Sequence, residues 1–106
     1  MDITKENFPV LDLLLTDDNP MAPLVRTDFD AAAQGGDVEQ YNFALGILPV
    51  VRDLTEQDLP GLTEDIRQKS LQSCRTVFDW VAQGNSSEAA NAQYVLDEMN
   101  AMKLGL

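Results

Sequence analysis

Apolar residues recur at helical spacing along most of the chain, and the pattern is clearest from residue 64 to 83. There Ile66, Leu71, Cys74, Val77, Phe78 and Val81 fall mostly three or four residues apart, while Glu64, Arg67, Gln68, Gln72, Arg75 and Asp79 occupy the other faces. Such spacing predicts an amphipathic helix. Thr63 is its expected N-cap, Glu64 and Asp65 suit the positive end of the helix dipole, and Gly84 is expected to end it as the C′ residue. A following helix over about 87–103 would turn Ala92, Val95, Leu96, Met99 and Met102 inward.

An equivalent pair precedes these two. Asn19 is placed to cap, Pro20 suits a first helical position, and Pro23 is tolerable while still in the first turn. That helix would run to Gln34 and stop at Gly35-Gly36. The next, over 38–48, carries Val38, Tyr41, Leu45 and Leu48 on one side, and Pro49 is expected to end or kink it. Asp37 with Gln40, and Asn85 with Glu88, have the spacing of capping boxes. Short turns capped by Thr4 and Thr55 open the two halves and are limited by Pro9 and Pro60. Val10, Leu11, Leu13, Leu14 and Leu15 read as one more short helix. No run alternates Val, Ile or Thr as a strand would. The predicted fold is all-α, with five or six helices in a single domain over residues 1–106.

The halves also repeat in sequence. Residues 26–42 and 75–91 share nine of 17 positions: Arg26/Arg75, Thr27/Thr76, Phe29/Phe78, Asp30/Asp79, Ala33/Ala82, Gln34/Gln83, Gly35/Gly84, Glu39/Glu88 and Asn42/Asn91. Residues 2–11 echo 53–62 more weakly. The chain therefore reads as a tandem duplication of a helical-hairpin unit of about 50 residues, over about 2–49 and 53–102. Phe29 and Ala33, like Phe78 and Ala82, are four apart and share a helical face, so a close-packed hairpin is expected around each pair. Glu88-Ala-Ala-Asn-Ala-Gln-Tyr-Val-Leu resembles part of a Sel1 or tetratricopeptide helix, and residues 29–48 resemble an ankyrin hairpin. Each match covers under a fifth of the chain, and those families repeat at about 33–36 residues, so no family is assigned.

Charge changes the picture more than composition does. Eighteen acids face seven bases, for a net charge of −11. Direct nucleic-acid binding is disfavoured, because phosphate contacts need Lys and Arg, and so is an anionic membrane surface. A basic protein partner fits better. No apolar run is long enough to span a membrane, and no secretory signal is visible, so a cytoplasmic location is expected. The lone Cys74 forms no internal disulfide, and without histidine there is no Cys/His metal site and no Ser–His or Cys–His nucleophile. Asp17-Asp18-Asn19 lacks the spacing of a calcium loop. No cofactor or metal is expected.

The shared polar residues Asp30/Asp79, Gln34/Gln83, Glu39/Glu88 and Asn42/Asn91 read as caps and hairpin contacts rather than duplicated chemistry. Trp80 stands where the other half has Ala31, and Trp is a frequent interface anchor. With the Leu-rich segment 10–15, or with Phe43–Val51, it would form a partner groove. The candidate partner-binding residues are Trp80, Asp17, Asp18, Asp28, Asp37, Asp58 and Glu64. The expected function is a non-enzymatic acidic interaction module, namely a small adaptor, chaperone-like partner or inhibitor, with homodimerisation an option. The alternatives are a nucleic-acid-mimicking inhibitor or toxin-immunity protein of phage or mobile-element origin, and a small carboxylate-dependent enzyme.

Overall fold

The computed structural model describes all residues, 1–106. It is all-helical: α1 (Leu11–Leu14), α2 (Ala22–Gln34), α3 (Asp37–Asp53), α4 (Glu64–Gln83) and α5 (Ala89–Ala101). No helix is long and apolar enough to cross a membrane. α2 packs on α3, α3 on α4 and α4 on α5, so the four long helices form an up-and-down row. The molecule measures 38 × 29 × 19 Å. Its thin dimension is about two helix diameters, and the N-terminal segment makes the second layer. Phe8 and Leu11 of that segment are fully buried, and Phe8 meets Phe43 edge-on with ring centroids 5.1 Å apart. The backbone N–H of Val10 and the carbonyl of Asn7 bond to the hydroxyls of Ser70 and Ser73 on α4. Burial of those two serines is thereby matched by hydrogen bonds, as buried hydroxyls require.

α4 follows the periodic pattern to the residue. Thr63 accepts a hydrogen bond from the Ile66 N–H at 3.2 Å, and Leu71, Cys74, Val77, Phe78 and Val81 are all buried. α3 and α4 run antiparallel over their full length and are tied at both ends. At one end the Arg67 guanidinium donates to the carbonyls of Val51 and Leu54 at 2.6 and 2.7 Å. At the other, the Trp80 ring N–H donates to Asp37 Oδ1 at 3.2 Å.

Several sequence expectations are corrected. α3 does not stop at Pro49 but continues to Asp53 with the proline inside it. Pro49 and Leu45 both lie on the exposed side of α3, where water can satisfy the carbonyl that proline leaves without a donor. Leu45, expected on one side with Val38, Tyr41 and Leu48, is 40% exposed while Tyr41 and Leu48 are buried. α5 spans a shorter stretch than 87–103, and Glu88 rather than Asn85 is its N-cap residue. Met102 lies beyond its end and is exposed.

Gly35 and Gly84 do follow α2 and α4, but neither takes the left-handed conformation usual at C′; both are extended, at φ −96° and −88°. At Gly35 glycine is needed for close approach to backbone, whereas at Gly84 the near neighbour is the movable end of a side chain. A Cβ at Gly35 would lie 2.6 Å from the Ala31 carbonyl oxygen, and one at Gly84 would lie 2.7 Å from Asp37 Oδ2. The close-packed alanine of the first hairpin is Ala32, fully buried, while Ala33 is exposed. The two motif copies thus sit differently: Phe78 is fully buried and Phe29 only half-buried.

Candidate interaction surface

α3 has two flanks, and each borders an apolar groove. Residues three and four apart on a helix share a side, so Phe43, Gly46, Ile47 and Val50 line one flank and Leu45, Leu48 and Arg52 the other. On the first side, Met21, Leu24, Val25 and Asp28 of the α2 region complete a groove of about 190 Å³ floored by Leu14. On the second, Tyr94, Val95, Glu98, Met99 and Met102 complete one of about 200 Å³. The walls are exposed apolar side chains: Leu24 at 69%, Met21 at 53% and Tyr94 at 68%.

These walls follow from local sequence. Met21, Leu24, Val25 and Asp28 fall at i, i+3, i+4 and i+7, on one side of α2, with half-buried Val25 at its inner edge. Tyr94 and Glu98 are likewise four apart on α5. That spacing is present in the sequence, but it does not tell which side of each helix the rest of the fold covers. Gly46 faces the first groove, and a Cβ built there meets no atom within 4 Å.

The acidic candidates separate into distinct places. Asp18 and Asp58 line one open cleft of about 380 Å³, together with Asp12. Asp17 lines a neighbouring one of about 420 Å³ that also contains Arg26. Asp28 lies on the α2–α3 groove. Asp37 meets Trp80. Glu64 stands in the first turn of α4, 3.6 Å from Arg67. Glu64 and Trp80 are sixteen residues apart on one helix, about 24 Å at the helical rise, so the seven candidates form no single patch.

Trp80 is 56% exposed, but it joins neither segment expected to share a groove with it. Val10, Leu11, Leu14, Phe43, Ile47 and Val51 are buried in the core, and the ring instead lies beside Asp37, Gln83 and Gly84.

Most of the shared polar residues make local bonds. Glu39 accepts from the Gly36 N–H at 3.0 Å, the N-terminal role foreseen for it. Asn91 donates to Glu88 at 3.2 Å and Gln83 to Asp79 at 2.8 Å, not across the hairpin or over the helix end.

Electrostatics at the candidate positions are mild. The Asp58 carboxyl is held below its ordinary range by hydrogen bonds from the Thr55 N–H and hydroxyl. Asp53 is lowered by its hydrogen bonds from Arg52, which is raised in turn. Burial pushes the Cys74 thiol up to about 12, so it carries no thiolate at neutral pH. No group of three or more His, Cys, Asp or Glu residues is arranged to hold a metal ion. Comparison of the chain with protein-family models, with curated proteins and with solved structures finds no match.

Proposed function

We propose that this chain is a non-enzymatic acidic interaction module that binds a basic surface of a protein partner. One observation carries the reading. Of eighteen acids, only Asp53 and Glu64 meet a basic side chain, in the pairs Arg52–Asp53 at 2.8 Å and Arg67–Glu64 at 3.6 Å. Most of the other carboxylates are exposed, several of them bonded only to uncharged neighbours, and their summed field would steer a basic partner toward the surface.

The cleft that gathers Asp12, Asp18 and Asp58 supports an enzyme less well. A general acid at neutral pH needs a raised carboxyl pKa. Asp58 moves the other way, because Thr55 already occupies its oxygens.

Origin of the module by duplication of a hairpin unit belongs to the same proposal. The opening turns support it: the Phe8 N–H bonds to the Thr4 carbonyl and the Leu59 N–H to the Thr55 carbonyl, both at 2.9 Å.

The test is binding of helical peptides matched in apolar content but opposite in net charge. Measurements at about 0.1 and 1 M salt shorten the screening length from about 10 to about 3 Å. Basic peptides should bind and weaken with salt. Equal binding by the acidic set, or indifference to salt, would remove the reading.

A further inference from the structure

Gly46 presents a cost without an internal return. It lies mid-helix in α3, where glycine is destabilising relative to alanine. Nothing in the fold demands it: its backbone is helical, and a Cβ there would meet no atom within 4 Å. Gly35, by contrast, is required by the Ala31 carbonyl oxygen, 2.6 Å from where a Cβ would lie. What the missing side chain does leave is an unobstructed groove edge, at which a second backbone can approach α3 closely.

The groove suits a helix rather than a small molecule. Its volume of about 190 Å³ is below the roughly 300–1,000 Å³ of ligand pockets. It runs from Met21 to Asp28 along α2, about 10 Å at the helical rise. That is two turns, the span over which a docked amphipathic helix places anchors at i, i+3 or i+4, and i+7.

Its charge selects the occupant. Asp28 is the only charged residue lining it and meets no basic side chain. The α3–α5 groove carries both Arg52 and Glu98 and has no such bias. A second copy of this chain would bring another net charge of −11 toward an acidic edge, which opposes self-association.

We infer that the groove between α2 and α3 receives an amphipathic helix of the partner protein, its apolar side chains seated against Met21, Leu24 and Val50 and a Lys or Arg paired with Asp28. The inference rests on the proposed acidic interaction module and gives it a location.

The test is selection from a displayed library of helical peptides against the full chain, followed by titration of the enriched peptides, made synthetically, against three variants. Gly46→Phe fills the groove, Gly46→Ala leaves it open, and Asp28→Lys reverses its charge. Thermal melts establish that each variant is folded, and Gly46→Ala should melt at or above the parent temperature. Enriched peptides should be basic, with apolar residues at helical spacing. Gly46→Phe and Asp28→Lys should each weaken them by about tenfold or more, and Gly46→Ala by less than about twofold.

Basic peptides that bind Gly46→Phe as well as the parent would overturn the location while leaving the acidic module standing. Peptides lacking basic residues that still lose binding to Gly46→Phe would keep the groove and overturn the basic partner. A dimer in sedimentation that Gly46→Phe dissociates would make the occupant a second copy and overturn the inference. Recovery of no binder would do so as well.

Discussion

Phe29 and Phe78 occupy the same place in the repeated motif and do different work. Phe78 is fully exposed to neither solvent nor cavity: it is 0% accessible and meets Tyr41 edge-on at 5.8 Å. Phe29 is half-buried and meets Phe43 at 6.0 Å in a tilted arrangement. Truncation of a core phenylalanine costs about 3–5 kcal/mol, and Phe78→Ala should fall in that range in a denaturant titration. Phe29→Ala should cost clearly less, because part of its ring already faces water. Equal losses would mean that the motif copies are energetically equivalent. The core role of Phe78 was legible because it lies inside a complete apolar stripe. The position of Phe29 was not, since identity between two stretches says nothing about which side the N-terminal segment covers. The surroundings of Trp80 were hidden for a related reason: the aromatic residue is visible in the sequence, but Asp37, which its ring N–H meets, is 43 residues away.

At the scale of elements, the turns set by a threonine cap were the easiest to read. Thr63 and Thr55 announce their turns through short-range bonds, and both caps form. The Thr55–Asp58 turn also predicts a pH dependence. The folded-state pKa of Asp58 lies below its ordinary value, near 3.9 in an unfolded chain. Its contribution to stability is therefore complete above about pH 4 and is lost as pH falls through the lower, folded-state pKa. Asp58→Ala should melt below the parent at pH 7 and converge with it in acid. A gap that persists unchanged through pH 2 would show that the charge is not its source.

The α3–α4 connection depends instead on a contact that no local pattern encodes. Arg67 caps the end of α3 by donating to two carbonyls, using the planar fork that lysine lacks. Hydrogen bonds from a charged donor contribute about 1.5–3 kcal/mol. Arg67→Lys should lose a substantial part of that in chemical denaturation, with faster amide exchange confined to the last turn of α3. Unchanged exchange there would rule out the cap. Extension of α3 beyond residue 48 is not legible locally, because proline can end or kink a helix, whereas the burial of Val51 beyond it is set by tertiary packing.

Charge acts on the whole molecule at once. The acids are distributed over both halves and nearly all lack basic partners, so each adds to a common repulsion opposing compaction. The relevant comparison is between the screening length and the molecule. At about 0.01 M salt the Debye length is about 30 Å, close to the 38 Å long axis, and acids at opposite ends sense one another. At about 0.15 M it is about 8 Å, and only near neighbours interact. The opposing effect is screening of the two ion pairs, which is small because both carboxylates are exposed and water already screens such pairs. Adding sodium chloride over this range should therefore raise the melting temperature, with most of the rise at the low end where screening changes fastest. Sucrose gives the control for exclusion effects, since it leaves the Debye length alone. A melting temperature that falls with salt would show that the Arg52–Asp53 and Arg67–Glu64 pairs outweigh the collective repulsion. The carboxylates would then be far less available to a basic partner than their number suggests.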